Sequence, residues 1–232
     1  MKRSEINREI KKAEEFFAAH GFKLPRFASW SPEEWLNHGE EIREIIDCNL
    51  GWDLTDFGRG DFAREGLLLF TIRNGVAGDP RYPKPYAEKI MISRSMQVTL
   101  THCHECKCED IINRGGGNLV FHLHNRIGTS RENIQLDTTP VKVVKDGELI
   151  TVEADAPLVI GPGESITLTP NMFHRFYGEE GGDVMVGEVS SVNDDHNDNV
   201  FAQPQLRFPE IEEDEAPYRY LVSDYATKLP PR

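Results

Sequence analysis

Between residues 66 and 192 the chain is a succession of short β-patterned runs cut apart by turns, and that succession leaves few folds open. Gly66–Arg73, Glu88–Ile92, Gln97–His104, Asn118–His124, Val141–Val144, Leu149–Val152, Pro157–Ile160, Ser165–Thr169 and Asp183–Val189 each read as a strand. Asp146-Gly147 is a hairpin signal between two of them, and Pro80, Pro83 and Pro85 turn residues 79–86 into a loop. Many short strands between turns, with no glycine-rich nucleotide loop, predict an all-β sandwich or barrel.

Helical grammar is confined to the N-terminal part. From Ser4 to about His20, Ile6, Ile10, Ala13 and Phe17 share a stripe, charged residues fill the other side, and Gly21 supplies a stop. A second helix opens at Ser31, with Pro32 at its first position and Glu34 completing a capping box before Trp35 and Ile42–Ile46. Residues 1–65 are therefore expected to be a helical extension (4–49) covering a sheet, followed by an ordered loop rich in Gly, Asp and aromatic residues. Residues 66–192 are assigned to the barrel and 193–232 to a polar, acidic C-terminal segment.

The 26 basic and 39 acidic residues give a net charge of −13, which repels phosphate backbones and anionic membranes and sets nucleic acid aside as a partner. No apolar run approaches a membrane span. Three of the four cysteines crowd into positions 103, 106 and 108, and the start Met-Lys-Arg-Ser carries no apolar signal segment. A reduced cytoplasm is the expected location.

The chemistry concentrates in residues 99–117. On a strand, His102 and His104 fall on one face with Cys103 turned away, so two imidazoles can reach one metal ion. Glu109 has the opposite parity and joins them only if a bulge or bend near Glu105-Cys106 absorbs one residue, which also turns Lys107 inward. His174, after Pro170-Asn-Met-Phe, is the candidate fourth ligand. Such a mixed N/O set suits Mn, Fe, Co, Ni or Zn. Downstream, Glu188 shares parity with Val184 and Val186 on the side expected to be buried, where a carboxylate needs a partner or a function as a base or hydroxyl ligand.

These residues carry a family likeness. His102-x-His104-x4-Glu109-x6-Gly116 resembles the first cupin motif, and the stretch ending at His174 resembles the second. Met96, Thr169, Asn171 and Gly178 stand where the pattern has Gly, Pro, Gly and Asn. Asn171 can still take a left-handed turn conformation. Glu109 to Gly117, Ser31 to Trp35 and Val186 to Asp195 extend the likeness to the cupin-type D-lyxose isomerases, from Met1 to about Tyr225.

The resemblance implies an all-β cupin barrel of jelly-roll type with a helical N-terminal extension and a C-terminal segment packed on the barrel. It implies interconversion of D-lyxose and D-xylulose, extending to D-mannose and D-fructose, with Mn(II) held by His102, His104, Glu109 and His174. Lys107 and a late carboxylate, Glu213, are expected to move protons, and Asn193, Asp194 and Arg207 to contact sugar hydroxyls. Cupin relatives often dimerise, and the apolar run Leu67–Ile72 is a candidate contact for a homodimer.

Three other readings stay open. An Fe(II) cupin oxygenase uses the same ligands, and a sugar-binding cupin needs no turnover. Cys103-x-x-Cys106-x-Cys108 with a histidine is the ligand set of a structural zinc knot. His122-x-His124, with Leu119, Phe121 and Leu123 on the opposite face, is expected to line the barrel as a polar surface.

Overall fold

The computed structural model describes residues 1–195, 197–206 and 209–230. Its helices are α1 (Arg3–Ala19), α2 (Pro32–Leu36), α3 (Arg43–Asp47) and α4 (Tyr225–Lys228). The strands begin with β1 (Gly51–Thr55), β2 (Leu67–Arg73), β3 (Tyr86–Ser93), β4 (Thr99–His104), β5 (Glu109–Gly116), β6 (Leu119–Ile127) and β7 (Gln135–Leu136). They continue with β8 (Val141–Lys145), β9 (Glu148–Val152), β10 (Leu158–Ile160), β11 (Ser165–Leu168), β12 (Met172–Gly178), β13 (Val184–Ser191) and β14 (Asn199–Phe201).

Two antiparallel sheets result. The larger runs β1-β2-β3-β13-β5-β11-β8-β9 and the smaller β10-β6-β12-β4-β14. Their inner faces meet in one core, with Leu69, Met91, Ile111, Val143, Ile166 and Val186 opposite Leu119, Phe121, Leu123 and Phe176. Strand alternation decides which residues enter it. On β6 it selects Leu119, Phe121 and Leu123, so His122 and His124 face outward. There their Nδ1 atoms pair with the carbonyls of Asp155 and Asp137. The expectation that this pair lines the barrel is corrected by the register.

The outer face of the larger sheet is closed by α1. Ile6, Ile10, Ala13 and Phe17 are buried against Trp52, Leu54, Leu68, Phe70, Ile90 and Met185. Each large side chain of that stripe contributes about 1.5–3 kcal/mol by leaving water. The capping box of α2 is present, with Glu34 N donating to Ser31 Oγ and Ser31 N to Glu34 Oε2. The helix does not run on to Ile46 as its apolar pattern suggested. It stops at Leu36, where Asn37-His38-Gly39 breaks it, and a 3-10 turn (Glu40–Ile42) leads into α3.

Two boundaries read from the sequence move. β1, inside the expected loop, is an outer strand of the larger sheet, and β14, inside the expected tail, is an outer strand of the smaller one. The barrel therefore recruits residues from both flanking segments. Leu67–Ile72 lies between β1 and β3 and offers no free edge for a dimer contact.

The departures from the cupin pattern keep its backbone. Met96, where the pattern has glycine, has φ +59°, and Asn171 has φ +65°. At Gly116 φ is +95°, and an added Cβ would lie 2.2 Å from the carbonyl oxygen of Asp183, so only glycine fits. Met96 is 54% exposed and so has little packing to lose. Met96→Gly is expected to stabilise the fold by about 0.5–1 kcal/mol by relieving the left-handed strain, read as a higher urea midpoint at unchanged slope.

Candidate active site

The site lies in the mouth of the barrel, where the inward rows change from apolar to charged. Along β3 the inward side chain after Met91 is Lys89; along β13 Glu188 follows Val186; along β5 Glu109 precedes Ile111. Lys89 and Glu188 are register partners, so the charged level is shared by neighbouring strands.

The histidines come from the opposite sheet. His102 and His174 are partners across β4 and β12, and His104 ends β4. The ligand atoms of all three lie within 4.8 Å of one another. His102 Nδ1 pairs with the carbonyl of Leu100 at 2.8 Å and His174 Nδ1 with that of Met172 at 3.1 Å. Those bonds make each Nδ1 the protonated nitrogen and leave the Nε2 lone pairs facing the cluster. Burial pushes both imidazoles toward the neutral form, His102 well below its ordinary pKa and His174 to about 4.

Glu109 reaches them because the chain changes sheets. β4 ends at His104, residues 105–108 bend, and β5 begins at Glu109 in the larger sheet. The parity slip expected near Glu105-Cys106 is thus a crossing turn. It is held by Asp198, whose carboxylate accepts from Cys106 N at 2.7 Å and Lys107 N at 3.0 Å. Lys107 turns inward and ion-pairs with Glu109 Oε2 at 2.7 Å and Glu188 Oε1 at 2.9 Å. Lys89 Nζ lies 3.3 Å from the same Glu188 oxygen.

Burial opposes the charges of Lys107, Glu109 and Glu188, and their partners outweigh it. Lys107 is held above its ordinary pKa by Glu109 and Glu188, against the lowering expected from its sequence setting. Glu109 is held well below its ordinary value chiefly by Lys107, and Glu188 is lowered by Lys107 and Lys89.

The remaining expected residues divide. Asn193 joins the site: its Oδ1 accepts from Lys89 Nζ at 2.6 Å and its backbone is clasped by Asn74. Asp194 engages Asn197 through its carboxylate and lines an adjacent hollow with Asp47, Asp53 and Asn74. Arg207 lies outside the described residues. Glu213 is not brought to the site. Its carboxylate ion-pairs with Arg3 at 2.8 Å and Lys228 at 3.1 Å, tying the start of α1 to the C-terminal segment. The zinc knot is not assembled either, because Cys103 is buried with Phe173 and Val200 on the outer face while Cys106 and Cys108 are exposed.

Lys89 and Asp198 escaped the sequence reading. Lys89 shares the parity of Met91 on a strand buried on both faces, a signal that was available. Asp198 sits in an Asn/Asp run whose composition reads as solvated.

Residues 1–225 match the model of the D-lyxose isomerase family. The chain belongs to that family. It is 51% identical over 227 residues to a D-lyxose/D-mannose isomerase of Serratia proteamaculans, covering 97% of this chain and 98% of that one. A D-lyxose/D-mannose isomerase of Escherichia coli O157:H7 is 48% identical over the same coverage. Among solved structures, an L-ribose isomerase of Acinetobacter sp. DL28 in complex with L-ribose superposes with a TM-score of 0.58 at 14% identity, covering 90% of this chain and 98% of that one. An L-ribose isomerase of Cellulomonas parahominis with L-ribose gives 0.57 at 13% identity, covering 91% and 98%. These likenesses show the cupin-like fold. Family membership makes the protein a sugar aldose–ketose isomerase.

The structure separates Glu213 from that chemistry, and the separation is measurable. Its folded pKa is lowered from 4.5 to about 2, first by the hydrogen bond from Arg3. A depressed carboxylate stabilises the fold fully above its unfolded pKa, so the contribution is present above pH 4.5 and lost as pH falls toward 2. Glu213→Gln is expected to keep turnover within about twofold while losing stability at pH 7. The stability gap to the wild type should close by pH 2, followed by urea unfolding across pH.

Proposed function

We propose that this site interconverts D-lyxose with D-xylulose, and D-mannose with D-fructose, by moving a proton between C1 and C2, with Mn(II) held by His102, His104, Glu109 and His174. The observation that carries the metal reading is the state of Glu109. Its Oε1 is buried without a hydrogen-bond partner, 3.4 Å from His104 Nε2 and 3.4 Å from His174 Nε2. The His174 nitrogen presents a lone pair to a carboxylate oxygen, an arrangement that a cation between them relieves. The three imidazoles and one carboxylate are a donor set that suits a divalent first-row ion. Bound there, such an ion supplies electrostatic stabilisation for enediolate charge.

The chain's own residues handle the protons. Glu188, held ionised, accepts the C2 proton of the aldose and returns it to C1. Lys107, held charged, donates to O1 as the carbonyl is converted to the enediol, and recovers a proton from O2 as the ketose forms. Lys89 orients Glu188 through their 3.3 Å contact, and Asn193 Oδ1 accepts from Lys89 at 2.6 Å and from Lys107 at 3.5 Å. Relatives carrying the name D-lyxose/D-mannose isomerase at about half identity favour these sugars over other aldoses.

We place the protein in the cytoplasm as a homodimer. The four cysteines are unpaired, which suits a reducing compartment, and no helix among the described residues is long and apolar enough to cross a membrane. Tyr86 and Val189 are exposed on neighbouring outward positions of β3 and β13, an apolar surface suited to a second copy. A single monomeric species in sedimentation at micromolar concentration would exclude the dimer.

The decisive assay strips the protein with chelator, restores Mn(II) and follows D-lyxose by proton NMR in deuterated water. Metal-dependent D-xylulose with deuterium entering the sugar is expected. Glu188→Gln should reduce turnover by about 10²–10⁴-fold at unchanged metal content. Oxygen uptake by the iron-loaded protein, or sugar binding without exchange, would overturn the reading.

A further inference from the structure

We propose that Phe57, with Phe201 behind it, decides how long an aldose chain the site accepts. The inference rests on the isomerase reading and concerns the far end of the sugar instead of C1 and C2.

Phe57 stands where the two sheets meet. β1 is the outer strand of the larger sheet and β14 of the smaller. Lower down, the chain before β2 is stitched to the chain before β4 by Gly66 N to Val98 O at 3.1 Å and Val98 N to Arg64 O at 2.9 Å. At the mouth the contact is aromatic: the rings of Phe57 and Phe201 pack edge to face at 6.0 Å, and Phe201 lies 5.7 Å from the ring of His102. Both phenylalanines line the cavity above the histidines, with Thr55, Asp195 and Asn199 among its other walls.

The backbone holds Phe57 there against its own preference. Its φ is +54°, a region that bulky side chains rarely adopt. The turn is fixed by its neighbours: Thr55 Oγ1 accepts from Phe57 N at 2.9 Å, and the Asp56 carboxylate accepts from Gly58 N at 2.9 Å and Gly60 N at 3.1 Å. Glycine or asparagine would suit this backbone with less strain, so the ring is what the conformation serves. Phe57 is 3% exposed, and its ring is part of the cavity wall.

Placement makes the consequence specific. The reacting carbons belong between the histidines and the Lys107–Glu188 pair, so the distal carbons extend along the remaining wall of the cavity, where Phe57 and Phe201 stand. A hexose brings one hydroxymethyl more to that wall than a pentose. Trimming the ring lengthens the accepted chain.

The test compares manganese-loaded wild type, Phe57→Ala and Phe57→Leu on D-lyxose and D-mannose. In parallel, calorimetry measures binding of the unreactive polyols D-arabinitol and D-mannitol. The D-mannose to D-lyxose ratio of kcat/KM is expected to rise about tenfold in the alanine variant, through KM for the hexose, with the mannitol to arabinitol affinity ratio moving the same way. If alanine disrupts folding by circular dichroism, the leucine variant carries both ratios with a smaller shift in the same direction. Unchanged ratios overturn the role of Phe57 and leave the isomerase reading intact. Polyol binding without turnover by the wild type overturns the isomerase reading while the affinity ratio still judges Phe57. Neither binding nor turnover overturns both.

Discussion

Glu109 is one carboxylate with two neighbourhoods, and the site depends on that division. One oxygen neutralises Lys107 at 2.7 Å; the other is left without a hydrogen bond between two imidazoles. Had β4 run on unbroken, Glu109 would have had the opposite parity to His102 and His104 and turned away from them. Crossing from one sheet to the other within residues 105–108 solves the problem and places lysine and glutamate opposite the histidines. Asp198 makes the crossing rigid by accepting two backbone N–H groups, and charge-assisted bonds of this kind are about twice as strong as neutral ones. The barrel therefore supplies two facing walls, and the turn between them fixes their relation.

A buried group of two lysines and two glutamates is costly to desolvate, and it persists because its members neutralise one another. Removing any one leaves an uncompensated buried charge, a loss of about 3–5 kcal/mol. The rest of the fold offsets that cost. α1 covers the larger sheet, and its first turn is locked by Arg3 to Asp224 at 2.7 Å and to Glu213. The carboxylate expected to do chemistry thus serves the packing of the extension that protects the chemistry.

How much of this was legible depends on whether the signal was local. Strand alternation placed His102, His104 and Glu188 on the inward faces, and Asn171 fitted the left-handed turn its position needs. Non-local arrangements stayed hidden. Gly51–Thr55 read as loop because its inward Asp53 and Thr55 look like loop residues until β2 is beside them. Glu213 and Glu188 are both acidic residues in the C-terminal quarter, and only the path of the chain shows that Arg3 and Lys228 claim the first while Lys107 claims the second. Met96 was seen to replace the cupin glycine, but its residue type did not show that the left-handed backbone is kept there.

The proposed metal ligands alone do not choose between isomerisation and oxygen chemistry, since three imidazoles and a carboxylate serve both. The groups beside them do. Proton transfer between adjacent carbons needs an acid and a base close together, with their protonation states held apart by their surroundings. The proposed acid and base, Lys107 and Glu188, stand 2.9 Å apart, the ammonium held above its ordinary pKa and the carboxylate below it. Lys89 strengthens the bias by stabilising the ionised form of Glu188 from the next strand. The lysine–glutamate pair beside the histidines therefore favours the proposed proton-transfer reading, and the family to which the chain belongs is one of isomerases.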